Sequence, residues 1–422
     1  MSAEHQNSKP NTDGEYSSSQ NPSSLDSVFN FYARGELTNQ MARENMVRLE
    51  PSENQSEAIA RRLAGRVVGQ DEACNVVARR VALAKSGLGN PRKPLSAIFE
   101  LGPTGVGKTE MAHALADELF GDPYSDRLMI INMGEYMESH DSKKFVGSPP
   151  SYVGSNEKPA IPHDWLHQKK GSITERSIIV FDEVEKAHPR VLDIMLSIMD
   201  KGQLQARRGS DDPETKAKET DIPVTTELLD FTDSFLIFTS NIGALNLQKA
   251  QSGRTKIGFD SNIQEDQKLE VVGRTSLAEH FKGRPEFIGR LSDIVVFRHL
   301  EAEDYKTIFR KMIDEKNNDL KERFHGASPR FVATQEFCEH IMQQLDHKYG
   351  ARELQTLLDQ EMFDKAGDIL FGLPSPEVTL VAGYEDGQVI FYLDVKDNDN
   401  EYPVQDDTTT YYEDEALSVS DE

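Results

Sequence analysis

Cysteine is nearly absent: Cys74 and Cys338 are the only two among 422 residues. They lie far apart and neither has a CxxC partner, which argues against a disulfide framework and a structural zinc site. They read as two buried small apolar side chains. Long apolar runs are missing as well. No stretch approaches the roughly 18 residues that span a bilayer, so no membrane is expected as a partner. The N-terminal sequence MSAEHQNSKPNTDGEYSSSQNPSS has neither a basic start nor an apolar stretch, so it does not read as a secretion signal, and a cytoplasmic location is expected. Positive charge is in deficit. With 47 Lys and Arg against 72 Asp and Glu the formal net charge is -25, a sign that repels a polyphosphate backbone and argues against nucleic acid as a partner.

What is present is 37% hydrophobic and 28% charged sequence, the balance of a soluble globular protein carrying extra polar segments. Residues 1–28 are rich in Ser, Asn and Gln and cannot bury enough apolar surface to order themselves, so a disordered arm is expected. Residues 29–64 hold two helix-like segments, Phe29 to Leu49 and Glu53 to Leu63, separated by Pro51. From 65 to 299, short β-branched runs alternate with longer amphipathic stretches, the pattern of repeated βα units on a parallel sheet. Five strands are nominated: Ala97 to Leu101, Leu128 to Asn132, Ser177 to Phe181, Phe235 to Thr239 and Ile294 to Phe297. A helix is expected from Lys108 to Phe120, with Met111, Leu115 and Leu119 on one face.

After Leu300 the strands are expected to stop, and a small helical domain over 300–372 takes their place. Its helices are placed at Glu303 to Arg323, Thr334 to Leu345 and Arg352 to Leu370. Within 373–396 apolar and polar residues alternate around Asp386-Gly387, a hairpin signal. The tail, 397–422, has ten acidic side chains and no Lys or Arg, a block that is expected to stay solvated and disordered.

The strongest chemical signal is GPTGVGKT at 102–109, which fits G-x-x-x-x-G-K-[ST] between an expected strand and an expected helix. Glycines let backbone amides curl around phosphate oxygens, a lysine reaches the terminal phosphates, and a threonine hydroxyl can hold Mg²⁺. The nucleotide-binding set is therefore Gly102, Pro103, Thr104, Gly105, Val106, Gly107, Lys108 and Thr109. The run SIIVFDE supplies a buried strand ending in Asp182 and Glu183, at the sheet edge where parallel sheets present ligands. Asp182 can hold Mg²⁺ and Glu183 can polarise the attacking water; alternatively the two acids cap the helix that follows.

These residues, with VVGQ at Val67, FDEVEKAHP, FTSNIGA, GRPEFIGRLSDIVVF and KYGAR ending at Arg352, resemble the Clp-type AAA+ protein unfoldases and disaggregases. The resemblance covers roughly two thirds of the chain. It implies an α/β fold, the P-loop NTPase five-stranded parallel sheet flanked by helices and followed by a small helical AAA+ lid domain. It implies ATP and Mg²⁺ as cofactors, a homo-oligomer of six subunits, protein substrates, and an optional Clp-type peptidase partner. By position, Val67 and Val68 would line the adenine pocket and Asn241 would sense the γ-phosphate, although Thr239 and Ser240 lie beside it. Arg290 would be the finger that serves the neighbouring subunit, and Arg352 the sensor that closes the lid; a surface ion pair and a helix-start charge are their plainer readings.

The segment FVGSPPSYVGS at 145–155 resembles the loop with which such motors grip polypeptide, making Tyr152 and Val153 the gripping residues. Without the family it is a Pro-rich surface turn. Ile257-Gly258-Phe259 resembles a peptidase-docking tip, unless its apolar side chains fold back onto the protein. The chain departs from the family downstream of Gly154, where two prolines and Trp165 occur, and after Gln203, where a longer loop stands. Two functions follow: an ATP-driven unfoldase that threads polypeptide through a ring, or a nucleotide-controlled assembly switch without threading.

Overall fold

The computed structural model describes residues 55–146, 160–162, 165–166, 176–207, 226–243, 265–324, 328–371 and 378–395. They fall within one compact unit, Gln55–Glu422. The arm, the Phe29 to Leu49 segment and the acidic tail lie outside the described residues.

Two helices lead in, α1 (Gln55–Arg66) and α2 (Asp71–Ser86), followed by β1 (Ser96–Leu101) and α3 (Lys108–Phe120). Then come β2 (Leu128–Asn132), α4 (Asp141–Val146), β3 (Ser177–Asp182) and α5 (Pro189–Lys201). Strands β4 (Gln203–Arg207) and β5 (Thr226–Asp230) precede β6 (Ser234–Ser240), α6 (Glu265–His280), α7 (Pro285–Ile288) and β7 (Asp293–Val296). Among the described residues five strands pair in parallel in the order β2-β3-β6-β1-β7. The expected α/β fold is present.

Each central strand is apolar on both faces because helices cover both. Alternate residues divide accordingly. Phe99, Phe181 and Phe238 join a core with α5 and Phe287, whereas Ile98, Val180 and Ile237 join a second core with α1, α2 and α3. The same alternation, continued to the strand ends, puts Glu100, Asp182 and Thr239 on the α3 side. The site is positioned by this parity.

The expected helix at Lys108 to Phe120 is found with those bounds, ended by Gly121 in the left-handed region at φ 72°. Met111 and Leu115 are fully buried. The long segment after Gln203 is not simply a loop. Its ends pair as the antiparallel ribbon β4–β5, which brackets 208–225, because Leu204, Ala206 and Leu229 supply apolar side chains to the first core.

The expectation that strands cease after Leu300 is corrected. Helix α8 (Ala302–Arg323) is followed by a short strand β8 (Arg330–Ala333), then α9 (Gln335–Gln344) and α10 (Ala351–Leu358). A π-helical turn at Asp359–Asp364 carries the helical run into α11 (Lys365–Phe371). The hairpin strands β9 (Val378–Glu385) and β10 (Gln388–Val395) join β8 in a mixed three-stranded sheet. Four residues of β8 show too little alternation to be recognised locally. What holds them is long-range: Phe331, Leu380 and Ala382 share one core with Tyr305, Phe337, Leu354 and Met362.

Candidate active site

The loop between β1 and α3 is shaped by its glycines. Gly105 and Gly107 take φ of 72° and 104°, a region that only glycine enters freely. Gly102 lies so close to Phe297 that a β-carbon would meet it at 2.8 Å. At Gly105 a β-carbon would sit 2.1 Å from the Tyr349 carbonyl oxygen, and Gly350, at φ 64°, would place one 2.5 Å from the Gly105 oxygen. The two glycines therefore pack backbone against backbone. The Ala351 amide donates to the Gly105 oxygen at 2.8 Å, so the start of α10 is fastened to the loop.

Lys108 opens α3. Its ammonium donates to the carbonyl oxygens of Gly102 (2.7 Å) and Pro103 (2.6 Å) and to Asn241 Oδ1 (2.9 Å). Burial lowers its pKa to about 8, against the pull of Glu100, Asp182 and Glu185, while the Arg352 charge adds to the lowering. Arg352 is thus brought within electrostatic reach of Lys108 by the Gly105–Ala351 bond one residue earlier. Asn241 is tied in twice, since its own amide donates to Glu185 Oε1 at 3.2 Å.

At the ends of β3 and β6, the Thr239 hydroxyl donates to Asp182 Oδ1 and accepts from the Glu183 amide at 3.1 Å. Glu183 leaves the strand at φ 56° and ψ 48°, left-handed for a residue with a β-carbon. Such a conformation costs about 1–2 kcal/mol and persists where the surroundings over-determine it. Its carboxylate pairs with Lys186 Nζ at 2.5 Å.

The other nominated residues are placed as follows. Val67 is buried and lies under the loop, 3.1 Å from where a Gly107 β-carbon would be; Val68 is half-buried. Thr104 is exposed at the loop tip, Val106 is buried and Thr109 half-buried. Arg290 follows α7 and bonds Asp200 Oδ1 through Nε at 2.9 Å. The pair lies at the surface. Tyr152, Val153, Ile257, Gly258 and Phe259 lie outside the described residues.

Sequence reasoning passed over three residues here. Gln70 is buried; its side chain donates to the Val106 and Arg298 oxygens at 3.1 and 3.0 Å and accepts from the Arg298 amide at 3.0 Å, joining the loop to the segment before α8. Glu185, mentioned above, is the second. Glu100 is fully buried with neither oxygen hydrogen-bonded, and burial raises its pKa well above the ordinary value, with Lys108 opposing and Asp182 adding. A lone acid inside the apolar run SAIFEL was the signal for it.

The arrangement fits a nucleoside triphosphate with a hard cation. A glycine cradle at the N-terminus of a 13-residue helix directs amides and positive partial charge at an anion. Thr109 and Asp182 offer the oxygen donors that magnesium prefers, and magnesium takes its remaining ligands from phosphate and water. Among the described residues no group of three or more His, Cys, Asp and Glu is arranged to hold a metal ion. No helix of the described residues is long and apolar enough to cross a membrane.

Comparison with known families agrees with this geometry. Residues 93–294 match the family described as "AAA domain (Cdc48 subfamily)", and residues 300–374 match the "C-terminal, D2-small domain, of ClpB protein". Among similar proteins, the "Negative regulator of genetic competence ClpC/MecB" of Bacillus subtilis is 34% identical over 343 residues, 80% of this chain and 38% of that protein. The "ATP-dependent Clp protease ATP-binding subunit ClpC" of Staphylococcus aureus is 33% identical over 335 residues, 78% of this chain and 36% of that protein. The chain thus spans well under half the length of these relatives.

Proposed function

We propose that this chain, which carries the AAA domain and the ClpB D2-small domain and is homologous to ClpC ATPases, hydrolyses ATP in a ring of like subunits and uses the cycle to unfold or remodel protein substrates. One observation carries the reading. Lys108, Asn241, Asp182 and Glu183 converge at the carboxyl edge of the sheet beneath the glycine loop, and the lid helix that brings Arg352 is bonded to that loop.

In this reading the 102–109 amides and Lys108 hold the β- and γ-phosphates, and Lys108 exchanges its carbonyl partners for phosphate oxygens. Thr109 and Asp182 would hold a magnesium ion, which would supply charge that offsets the negative phosphates. Thr239 fixes the orientation of the Asp182 carboxylate. Glu183 accepts a hydrogen bond from the attacking water, and the left-handed turn aims it away from the strand. Asn241 follows the γ-phosphate through its bond to Lys108. Arg352 reports nucleotide to the small domain, because Gly350 and Ala351 move with the loop.

Arg290 is left to serve a neighbour. An arginine supplied in trans makes hydrolysis depend on assembly and is worth about 10³–10⁵ in rate. A hexamer, threading past Tyr152 and Val153, and docking to a Clp-type peptidase through Ile257-Gly258-Phe259 are the finer parts of the proposal. The resemblance to Clp-type motors suggests the first two, and the printed name of the Staphylococcus relative suggests a Clp-type peptidase as the partner.

The experiment is to measure ATP turnover of the assembled protein with and without an unfolded test protein, alongside Glu183→Gln. Stimulation by the unfolded protein is expected. Glu183→Gln is expected to bind ATP yet turn over about a hundredfold more slowly, as loss of a general base does. Wild-type turnover in that variant would remove the base assignment, and hydrolysis indifferent to unfolded protein would make an assembly switch the better description.

A further inference from the structure

We propose that Asp200 is a positioning residue for Arg290, holding the arginine in the pose in which it meets the adjacent subunit's nucleotide. This rests on the reading of Arg290 as the arginine supplied in trans.

The observations concern α5 and the segment that crosses it. Asp193 and Asp200 are seven residues apart on α5, two helical turns, and so lie on one stripe of its surface. Two arginines bracket the short helix α7, and each is caught by one of these carboxylates: Arg284 Nη1 by Asp193 and Arg290 Nε by Asp200. Between them Phe287 is fully buried, 5.3 Å from the Phe281 ring and 5.6 Å from that of Phe238. The segment is therefore held at three points. Its backbone is pinned by an aromatic plug, and its side chains by two carboxylates.

The chemistry of the second pair suits presentation rather than stability. Arg290 and Asp200 side chains are 40% and 46% exposed, and exposed pairs contribute little to folding. Asp200 also stands in the last turn of α5, where the helix macrodipole disfavours an acid. A carboxylate with a weak stabilising return at an unfavourable position needs another reason to be there. The bond uses Nε, so the terminal amino groups of this planar, five-donor fork are not spent on the Asp200 carboxylate. Those groups suit the bidentate recognition of phosphate oxygens. Lys93 Nζ, 4.0 Å from the same oxygen, shares the carboxylate.

The test is a double-mutant comparison on the full chain, at matched assembly checked by sedimentation, reading kcat and KM for ATP. Asp200→Asn is expected to lower kcat about tenfold, within the range by which slight misplacement of a reacting group slows a reaction. KM is expected to stay within about twofold, because nucleotide is bound by the loop of the other subunit. Asp200→Glu is expected to recover part of kcat. In an Arg290→Ala background Asp200→Asn should add nothing. An equal fall in both backgrounds, or a rise in KM with kcat unchanged, would overturn the proposal. So would unchanged kcat in Asp200→Asn beside an inactive Arg290→Ala, or failure of both Asp200 variants to assemble. A fully active Arg290→Ala would instead remove the trans reading on which the proposal stands.

Discussion

Replacing Glu100 with glutamine should make the protein more stable near neutral pH, although the residue adjoins the site. The side chain is fully buried and both oxygens lack hydrogen bonds. In the unfolded chain the carboxyl loses its proton near the ordinary value of 4.5, whereas burial raises the folded value well above it. Between those two values the folded protein carries one proton more than the unfolded chain. Stability therefore falls as pH rises, by about 1.4 kcal/mol per pH unit. The loss accumulates from pH 4.5 upward for as long as the folded carboxyl keeps its proton.

Glu100→Gln keeps the shape and removes the titration. Relative to wild type it should be more stable at pH 7, by a margin that shrinks to close to nothing near pH 4.5. Glu100→Met, which also removes the unpaired polar atoms, should gain about a further 1–3 kcal/mol. Urea denaturation of the three proteins across pH 4.5–8, without nucleotide, reads this difference directly. A Gln variant no more stable than wild type at pH 7, or an advantage that grows toward pH 4.5, would refute the reasoning.

Two further perturbations probe the loop. Since burial lowers Lys108 to about 8 and phosphate requires its ammonium, ATP affinity should weaken above that pH by up to about tenfold per unit. Fluorescent-nucleotide titrations from pH 7 to 9.5 check this, and a flat profile would contradict it. Gly350→Ala places a β-carbon 2.5 Å from the Gly105 oxygen at φ 64° and ψ -149°, a region that essentially only glycine occupies, adding a clash to about 1–3 kcal/mol of backbone strain. Its melting temperature and its stabilisation by ATP should both fall in calorimetry; wild-type values for both would mean that the seam is not rigid.

The sequence by itself determined whatever depends on neighbours along the chain. The central strands were legible because both sheet faces are covered there, so each is a largely apolar run, and the α3 helix because glycines frame it at both ends. The glycine loop, Lys108, Asp182 and Glu183 were legible for the same reason, since a strand followed by a turn and a helix is a local arrangement. Strand β8 was not legible: its four residues become a strand only by pairing with β9. Nor were the partners of the site residues, which come from far along the chain.

Gln70 reaches Arg298, 228 positions away, Gly105 packs on Gly350, and Arg290 is caught by Asp200. Glu100 stands out in the sequence as a lone acid in an apolar run; that it is buried without a hydrogen-bond partner only the packing of the sheet decides. Those outcomes were decided by the tertiary structure. Strand order and helix docking choose which distant groups meet and which lose water, and no local periodicity carries that information.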